Sequence, residues 1–297
     1  MNILITGASG FIGRQLVERL APHHQLTLLT RSVQQTQRIL GNQHHYLESL
    51  DALSDLNHID VIVNLAGEPI VAKRWSKNQK QRICDSRWDI TARLTQLIQQ
   101  SSNPPKIMVS GSAVGYYGRH DDKLLDESSG AHVEFSHDIC RKWEQEALNA
   151  NTEQTRVCII RIGIVLGKGG ALEKMLPPFK LGLGGPIGHG RQGMSWIHVQ
   201  DLISLIDFLL SQEHCKGVFN ATAPNPVSNA VFTKALGKAL NRPALITTSP
   251  LALRLAMGEM SELLTEGQFV YPKRALEAGF QFQFSDLDNA LTDVLAK

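Results

Sequence analysis

Short runs rich in Ile, Leu and Val alternate with longer amphipathic stretches, and a glycine-spaced turn follows the first run at once. Beyond residue 165 the alternation yields to dense Gly and Pro. Together these predict an α/β protein: a doubly wound parallel (Rossmann) sheet with a smaller mixed α/β C-terminal lobe. The strands are expected at "NILIT" (2–6), "QLTLLT" (25–30), "DVIVNLAG" (60–67), "KIMVSGS" (106–112) and "RVCIIRIG" (156–163), continuous apolar runs of the kind a doubly covered sheet buries. A long helix with Ile90, Leu94, Leu97 and Ile98 on one face separates the third from the fourth, and a second runs from 136 to 150. Right-handed crossovers then put helices on both faces.

The expected division is a nucleotide-binding domain over 1–165 and a substrate or lid lobe over 166–297, the sheet drawing further strands from the C-terminal half. In that half, helices are expected at 228–240 and 285–295, and short strands at "GVFNAT" (217–222) and "PALITT" (243–248). The glycine-rich "GKGG" (167–170) and "GLGGPIGHG" (182–190) do not end in Gly-Lys-Ser/Thr, so they predict a lid or substrate loop rather than a phosphate-binding P-loop.

Composition narrows the function. The chain has 297 residues, 42% hydrophobic and 20% charged, with net charge +2, which makes no general case for nucleic acid or an anionic membrane. Its four cysteines lack CxxC or CxxH spacing, so reduced buried thiols are expected and structural zinc is not. With no signal-peptide pattern, a cytoplasmic location is expected. The partners expected are an unidentified small-molecule substrate and, as an option, a second copy in a homodimer; no metal is expected.

Gly7, Ser9, Gly10, Phe11, Ile12 and Gly13 belong to the turn G-A-S-G-F-I-G between the first strand and its helix. Glycine there permits a tight turn and lets backbone approach a pyrophosphate, and the helix N-terminus offers it unpaired N–H groups. The end of the second strand selects the dinucleotide. A carboxylate there would accept from a free ribose 2′-hydroxyl, but the residues are Thr30, Arg31 and Ser32. Arg31 suits a 2′-phosphate, with Thr30 or Ser32 donating beside it, so NADP(H) is the expected cofactor.

With TGASGFIG, "NLAG" (64–67), "MVSGSAVGYYG" and "SWIHVQDL" in this order, the chain resembles the extended short-chain dehydrogenase/reductases. Within them it is similar to the atypical "epimerase family" branch of YfcH-type bacterial proteins, through "NLAGEPI", "CRKWE", "LPPFKLGLGGPIGHGRQ" and "LEAGFQF". The resemblance covers essentially the whole chain. It implies that Leu65 and Ala66 line the adenosine side, with Gly67 also binding the cofactor, and that Arg87, one turn before Thr91, faces the cofactor phosphates. It also implies that Ser110 and Ser112 end the fourth strand, Ser112 matching the catalytic Ser/Thr, and that Arg161 to Ile164 border the nicotinamide.

Three departures stand out. The Tyr-x-x-x-Lys pair of these enzymes is absent: aligned through Trp143–Glu144, its positions hold Ser136 and Cys140, and Lys142 lies two residues too far along. Met194 stands where nucleotide-sugar enzymes usually carry an Arg, against a nucleotide-diphosphate sugar as substrate. In an enzyme, another residue at a strand's carboxyl end would handle the proton, and Glu68, Tyr116 and Tyr117 are the candidates, with Ser112 polarising a carbonyl. Two functions remain open: an NADP-dependent oxidoreductase or epimerase-like enzyme on a small carbonyl or alcohol, and a non-catalytic NADP-binding regulatory or scaffold protein.

Overall fold

A computed structural model describes residues 1–120 and 122–296. Its centre is a seven-stranded sheet, every neighbouring pair parallel. The strands are β1 (Asn2–Thr6), β2 (Gln25–Leu29), β3 (His45–Leu47), β4 (Val61–Asn64), β5 (Ile107–Ala113), β7 (Arg156–Ile162) and β11 (Gly217–Ala221); β6 is the short Leu124–Leu125 outside it. The spatial order β11-β7-β5-β4-β1-β2-β3 reverses direction between β1 and β4, where doubly wound sheets open a ligand crevice at the strands' carboxyl ends.

Helices α1 (Phe11–Leu20), α2 (Val33–Leu40), α3 (Lys77–Gln100) and α4 (Phe135–Leu148) fall between these strands. Leu94, Leu97 and Ile98 of α3 and Ala147 of α4 pack with Leu4, Ile62 and Met108 on one face. On the other, Leu16, Val17 and Leu20 of α1 meet Ile3, Ile5 and Val63 and the helix α6 (Val199–Ser211). The alternation of side chains along a strand supplies both faces from one apolar run.

In the C-terminal half, α5 (Gly170–Lys180), α7 (Asn229–Ala239), α8 (Pro250–Met257), α9 (Glu262–Thr265), α10 (Lys273–Glu277) and α11 (Leu287–Leu295) accompany short strands. These are β8 (Ile164–Leu166) beside β10 (Trp196–His198), β9 (Gly193–Met194) beside β12 (Val227–Ser228), and β13 (Phe269–Val270) beside β6. A second apolar cluster gathers here around Trp196, Phe232, Leu236 and Leu291. Asp201, buried on α6, accepts from the backbone N–H groups of Gln283 (2.8 Å) and Phe284 (2.9 Å) and so pins the C-terminal segment.

Three details differ from expectation. "PALITT" forms no strand: its one bridge, Thr248 to Ile187, ties it to the glycine-rich loop. Strand β3 carries no apolar run because it lies at the sheet edge, with His45 exposed. Helix α8 was not expected; Pro250 opens it at a favourable first-turn position.

Candidate functional site

The glycines of the first turn have different reasons to be glycine. Gly7 sits at φ +71°, and a Cβ there would lie 2.6 Å from the Leu65 carbonyl oxygen. A Cβ on Gly13 would collide with the Gly7 carbonyl and the Ala8 backbone. Both are demanded by the fold. Gly10 is exposed, with an ordinary φ of −73°, and a Cβ would meet only the Gly7 oxygen at 3.1 Å, a contact that a small shift relieves. The protein itself gives little reason for glycine at position 10. Phe11 is enclosed by Gly167, Gly169 and Gly170, where added Cβ atoms would all meet its ring. The "GKGG" glycines therefore make room for an aromatic ring; Ile12 beside it is half-buried.

A buried polar chain fixes the adjacent NLAG turn. The Thr6 hydroxyl donates to Asn64 Oδ1 (2.7 Å) and accepts from the N–H groups of Leu65 (3.1 Å) and Ala66 (3.0 Å). Asn64 Nδ2 donates to Thr91 (2.8 Å) and Ser110 (3.3 Å). Thr6 and Asn64 were missed in the sequence reading; "NLAG" contained the signal. Ser110 is fully buried in this chain of bonds, which corrects its assignment as a ligand-facing residue. The backbone of Leu65 and Ala66 is held half-buried against Gly7.

At the end of β2 the side chains of Thr30, Arg31 and Ser32 differ in what they are bonded to. Thr30 Oγ1 bonds Thr36 Oγ1 at 2.6 Å, and Ser32 caps α2 by accepting from the Gln35 N–H. Thr30, buried, is thereby engaged in local structure, whereas the Ser32 hydroxyl only accepts in its cap and keeps its own hydrogen to donate. Arg31 is 95% exposed, its nearest carboxylate Glu68 at 3.9 Å. An exposed pair at that distance contributes little and leaves Arg31 available.

Arg87 reaches from α3 to the far side of the NLAG turn. Its Nη1 donates to the carbonyl oxygens of Glu68 (3.0 Å) and Ile83 (3.0 Å), and its guanidinium lies 5.2 Å from the Trp143 ring centroid. A Cβ on Gly67 would meet that guanidinium at 2.8 Å. Burial lowers the pKa of Arg87, and among the described residues no carboxylate lies within ion-pairing distance of it.

The fourth sheet strand of the sequence reading, β5, ends in a closed network. Glu144 of α4 accepts from Ser112 Oγ (2.6 Å) and, through both oxygens, from Arg161 Nε and Nη2 (2.8 Å each). Glu144 and Arg161 are 4% and 3% exposed. Burial opposes the Arg161 charge, but the Glu144 hydrogen bonds and charge outweigh it and raise the pKa. Arg161 therefore anchors α4 to β7 and does not face solvent, a correction to its expected place beside a nicotinamide. The Ser112 hydroxyl proton points at Glu144, so in this arrangement it is not offered to a substrate carbonyl, which corrects that expectation too. Half-buried Ile164 begins the next strand.

The structure separates the remaining candidates. Tyr117 is fully enclosed; its hydroxyl donates to Asn220 Oδ1 (2.8 Å) and accepts from Arg161 Nη1 (3.1 Å). Burial pushes its pKa up to about 12, which unsuits it for proton exchange near neutrality. Glu68 leans towards Arg31, 3.9 Å away. Tyr116 is half-buried with its ring on the Arg161 guanidinium, 3.3 Å from centroid to Cζ, and its hydroxyl makes no hydrogen bond to the described residues.

Ser136 and Cys140 lie one turn apart, buried on α4. Ser136 packs against Gly115 and donates to Glu134 (2.6 Å), and Cys140 sits beside the Ser112 hydroxyl, its pKa pushed up to about 11 by burial. Lys142 turns away onto the Trp88 ring at 4.2 Å. His198, buried, caps α6 by accepting from the Gln200 N–H. Met194 is buried with its sulfur accepting from Asn229. All four cysteines are free and buried, and no group of His, Cys, Asp or Glu among the described residues is arranged to hold a metal.

A parallel sheet with this strand order, a glycine turn opening its crevice and an exposed arginine after the second strand define a dinucleotide-binding protein of the extended short-chain dehydrogenase/reductase class. The chain belongs to the NAD dependent epimerase/dehydratase family, whose model matches residues 3–221; a domain of unknown function, DUF1731, matches 250–294. It is 41% identical to the chloroplastic epimerase family protein SDR39U1 homolog of Arabidopsis thaliana, over 99% of this chain and 87% of that protein. It is 37% identical to the epimerase family protein YfhF of Bacillus subtilis, over 100% and 98%. The crystal structure of the human epimerase family protein SDR39U1 (isoform 2) with NADPH superposes with a TM-score of 0.91 at 36% identity, covering 99% of both chains. No helix among the described residues is long and apolar enough to cross a membrane.

Proposed function

We propose that the chain binds NADP(H) and acts as an oxidoreductase or epimerase-like enzyme on a small carbonyl or alcohol, with Tyr116 as its proton-transfer group. The observation that carries the cofactor is Arg31, 95% exposed at the end of β2 where an NAD site would place a carboxylate. The exposed Gly10 turn and the NADPH in the human relative's structure support the same reading. Gly10 and the N-terminus of α1 would hold the diphosphate, Arg31 the 2′-phosphate and Arg87 an anionic part of the cofactor. When bound, the dinucleotide supplies or accepts hydride. Tyr116 carries the phenol near Ser112 that is neither enclosed nor engaged, and a cation lies on its ring.

Arg31→Ala is expected to weaken NADPH binding by about 10–100-fold, the worth of one charge-assisted hydrogen bond. NADH binding should stay unchanged. Fluorescence titration of both cofactors checks this, and equal NADPH affinity in the two proteins removes Arg31 from the site.

Catalysis is tested by NADPH oxidation across a panel of small carbonyls. Tyr116→Phe should lose about 100-fold or more, the scale of general acid–base catalysis, while Ser136→Ala and Cys140→Ser stay within a few-fold. An alkyl hydroxyl is far less acidic than a phenol, and a buried thiol brings no positive charge. A large loss at Ser136 with Tyr116→Phe active reverses the assignment.

One observation favours a second reading, a non-catalytic NADP-binding regulator or scaffold: the hydroxyls of Ser112 and Ser136 both donate to carboxylates within the protein. Tight NADPH binding with background turnover across the whole panel selects that reading.

A further inference from the structure

Two segments of the C-terminal half lie side by side and leave an apolar face in water. Ile246 N–H donates to the Gly184 carbonyl (3.2 Å), Thr248 N–H to Pro186 (2.8 Å) and Gly188 N–H to Thr248 (2.9 Å), while Arg242 Nε donates to the Lys180 carbonyl (3.1 Å). On this plate Leu181 is 74% exposed and Leu245 84%, with Leu183 and Ile246 also exposed. Helix α8 continues directly from it, with Leu251 67% and Leu255 73% exposed, and none of its eight residues is buried. A helix that short is marginal in water without a packed apolar face, and contiguous apolar patches on a protein surface mark contact sites.

The charges around the patch say what covers it. None of the 28 acidic residues falls between Glu173 and Asp201 or between Glu213 and Glu259. Lys180, Arg242 and Arg254 are exposed among the leucines, and none forms an ion pair with the described residues. Two carboxylates on adjoining elements are occupied: Glu259, just past α8, holds Lys80, and Asp288 of α11 holds Lys238 of α7. A second copy would bring like charge against like, and a nucleic acid would leave the leucines in water. The chain-wide net charge of +2, from which no membrane is expected, averages over this asymmetry.

We propose that the face formed by Leu181, Leu183, Leu245, Ile246 and α8 docks on an anionic lipid bilayer, the leucines entering the headgroup–acyl boundary and Lys180, Arg242 and Arg254 meeting lipid phosphates. This is peripheral attachment, and it stands independently of the cofactor and the reaction.

The test is co-sedimentation of the full chain with vesicles of phosphatidylcholine alone or mixed with phosphatidylglycerol. Binding should be at least about 10-fold stronger to the mixed vesicles and should weaken with added salt, because each cation near an anionic surface contributes about 5-fold. Leu251→Glu/Leu255→Glu and Arg242→Glu/Arg254→Glu should each reduce it by about 10-fold or more. These side chains are exposed, and unchanged thermal melts verify that both variants fold. Binding that ignores the lipid charge, or that survives both double substitutions, overturns the proposal. So does no binding at all, as when sedimentation velocity instead shows a dimer that Leu251→Glu/Leu255→Glu dissociates.

Discussion

Glu144→Ala is expected to destabilise the protein by about 3–5 kcal/mol, because it strips the partner from a buried guanidinium. Arg161 is 3% exposed and donates two of its hydrogen bonds to Glu144, so bulk solvent does not reach it to replace them. For a chain of this size the melting temperature should fall by roughly 2–4 °C per kcal/mol. Ser112 loses its acceptor in the same step. Replacing both Glu144 and Arg161 by Met should recover much of the loss, since a well-packed apolar pair removes the stranded charge along with its partner. Thermal melts of the three proteins decide it. If Glu144→Ala melts within about 2 °C of the parent, the ion pair does not anchor α4 to β7.

The second large effect separates two glycines three residues apart. Gly10→Val should fold, melt cooperatively and bind NADPH about 100-fold or more weakly, the equivalent of two charge-assisted hydrogen bonds at ~1.5–3 kcal/mol each. Its side chain would stand where the backbone meets the diphosphate. Gly13→Val should not fold, because its Cβ would be driven into the Gly7 carbonyl and the Ala8 backbone. Circular dichroism and an NADPH titration read both outcomes. Normal NADPH affinity in a folded Gly10→Val protein makes the turn a purely structural feature.

The parts of this molecule that could be read in advance are those whose cause is local. Continuous runs such as "ILIT" and "CIIRI" sit on strands covered on both faces, so the apolar pattern and the burial coincide. The glycine turn needs only neighbours in sequence. Where a partner lies far along the chain the reading failed. Glu144 served as an alignment anchor, but nothing near it shows that its carboxylate is committed to Arg161 across the next crossover. Tyr116 and Tyr117 are equivalent as adjacent letters; the short 3₁₀ turn over Val114–Tyr117 sends one into the core and leaves the other half-open. The apolar letters of "PALITT" resemble a buried strand, yet most of that segment lies on the surface, where propensity has no sheet to join.

Strand β11 has a consequence for how the sheet is completed. Its five residues pair with Cys158–Ile162 of β7, although more than fifty residues intervene. A chain ending near residue 165 would leave that edge bare: an apolar, proline-free ribbon with a single arginine in its paired stretch, a ready template for strands of other molecules. During synthesis from the N-terminus, β7 therefore waits for its outer neighbour while α5 and α6 are still being made, and the closure is a long-range one. While this ribbon stands open the nascent protein carries an aggregation-prone edge, and the arrival of "GVFNA" covers it.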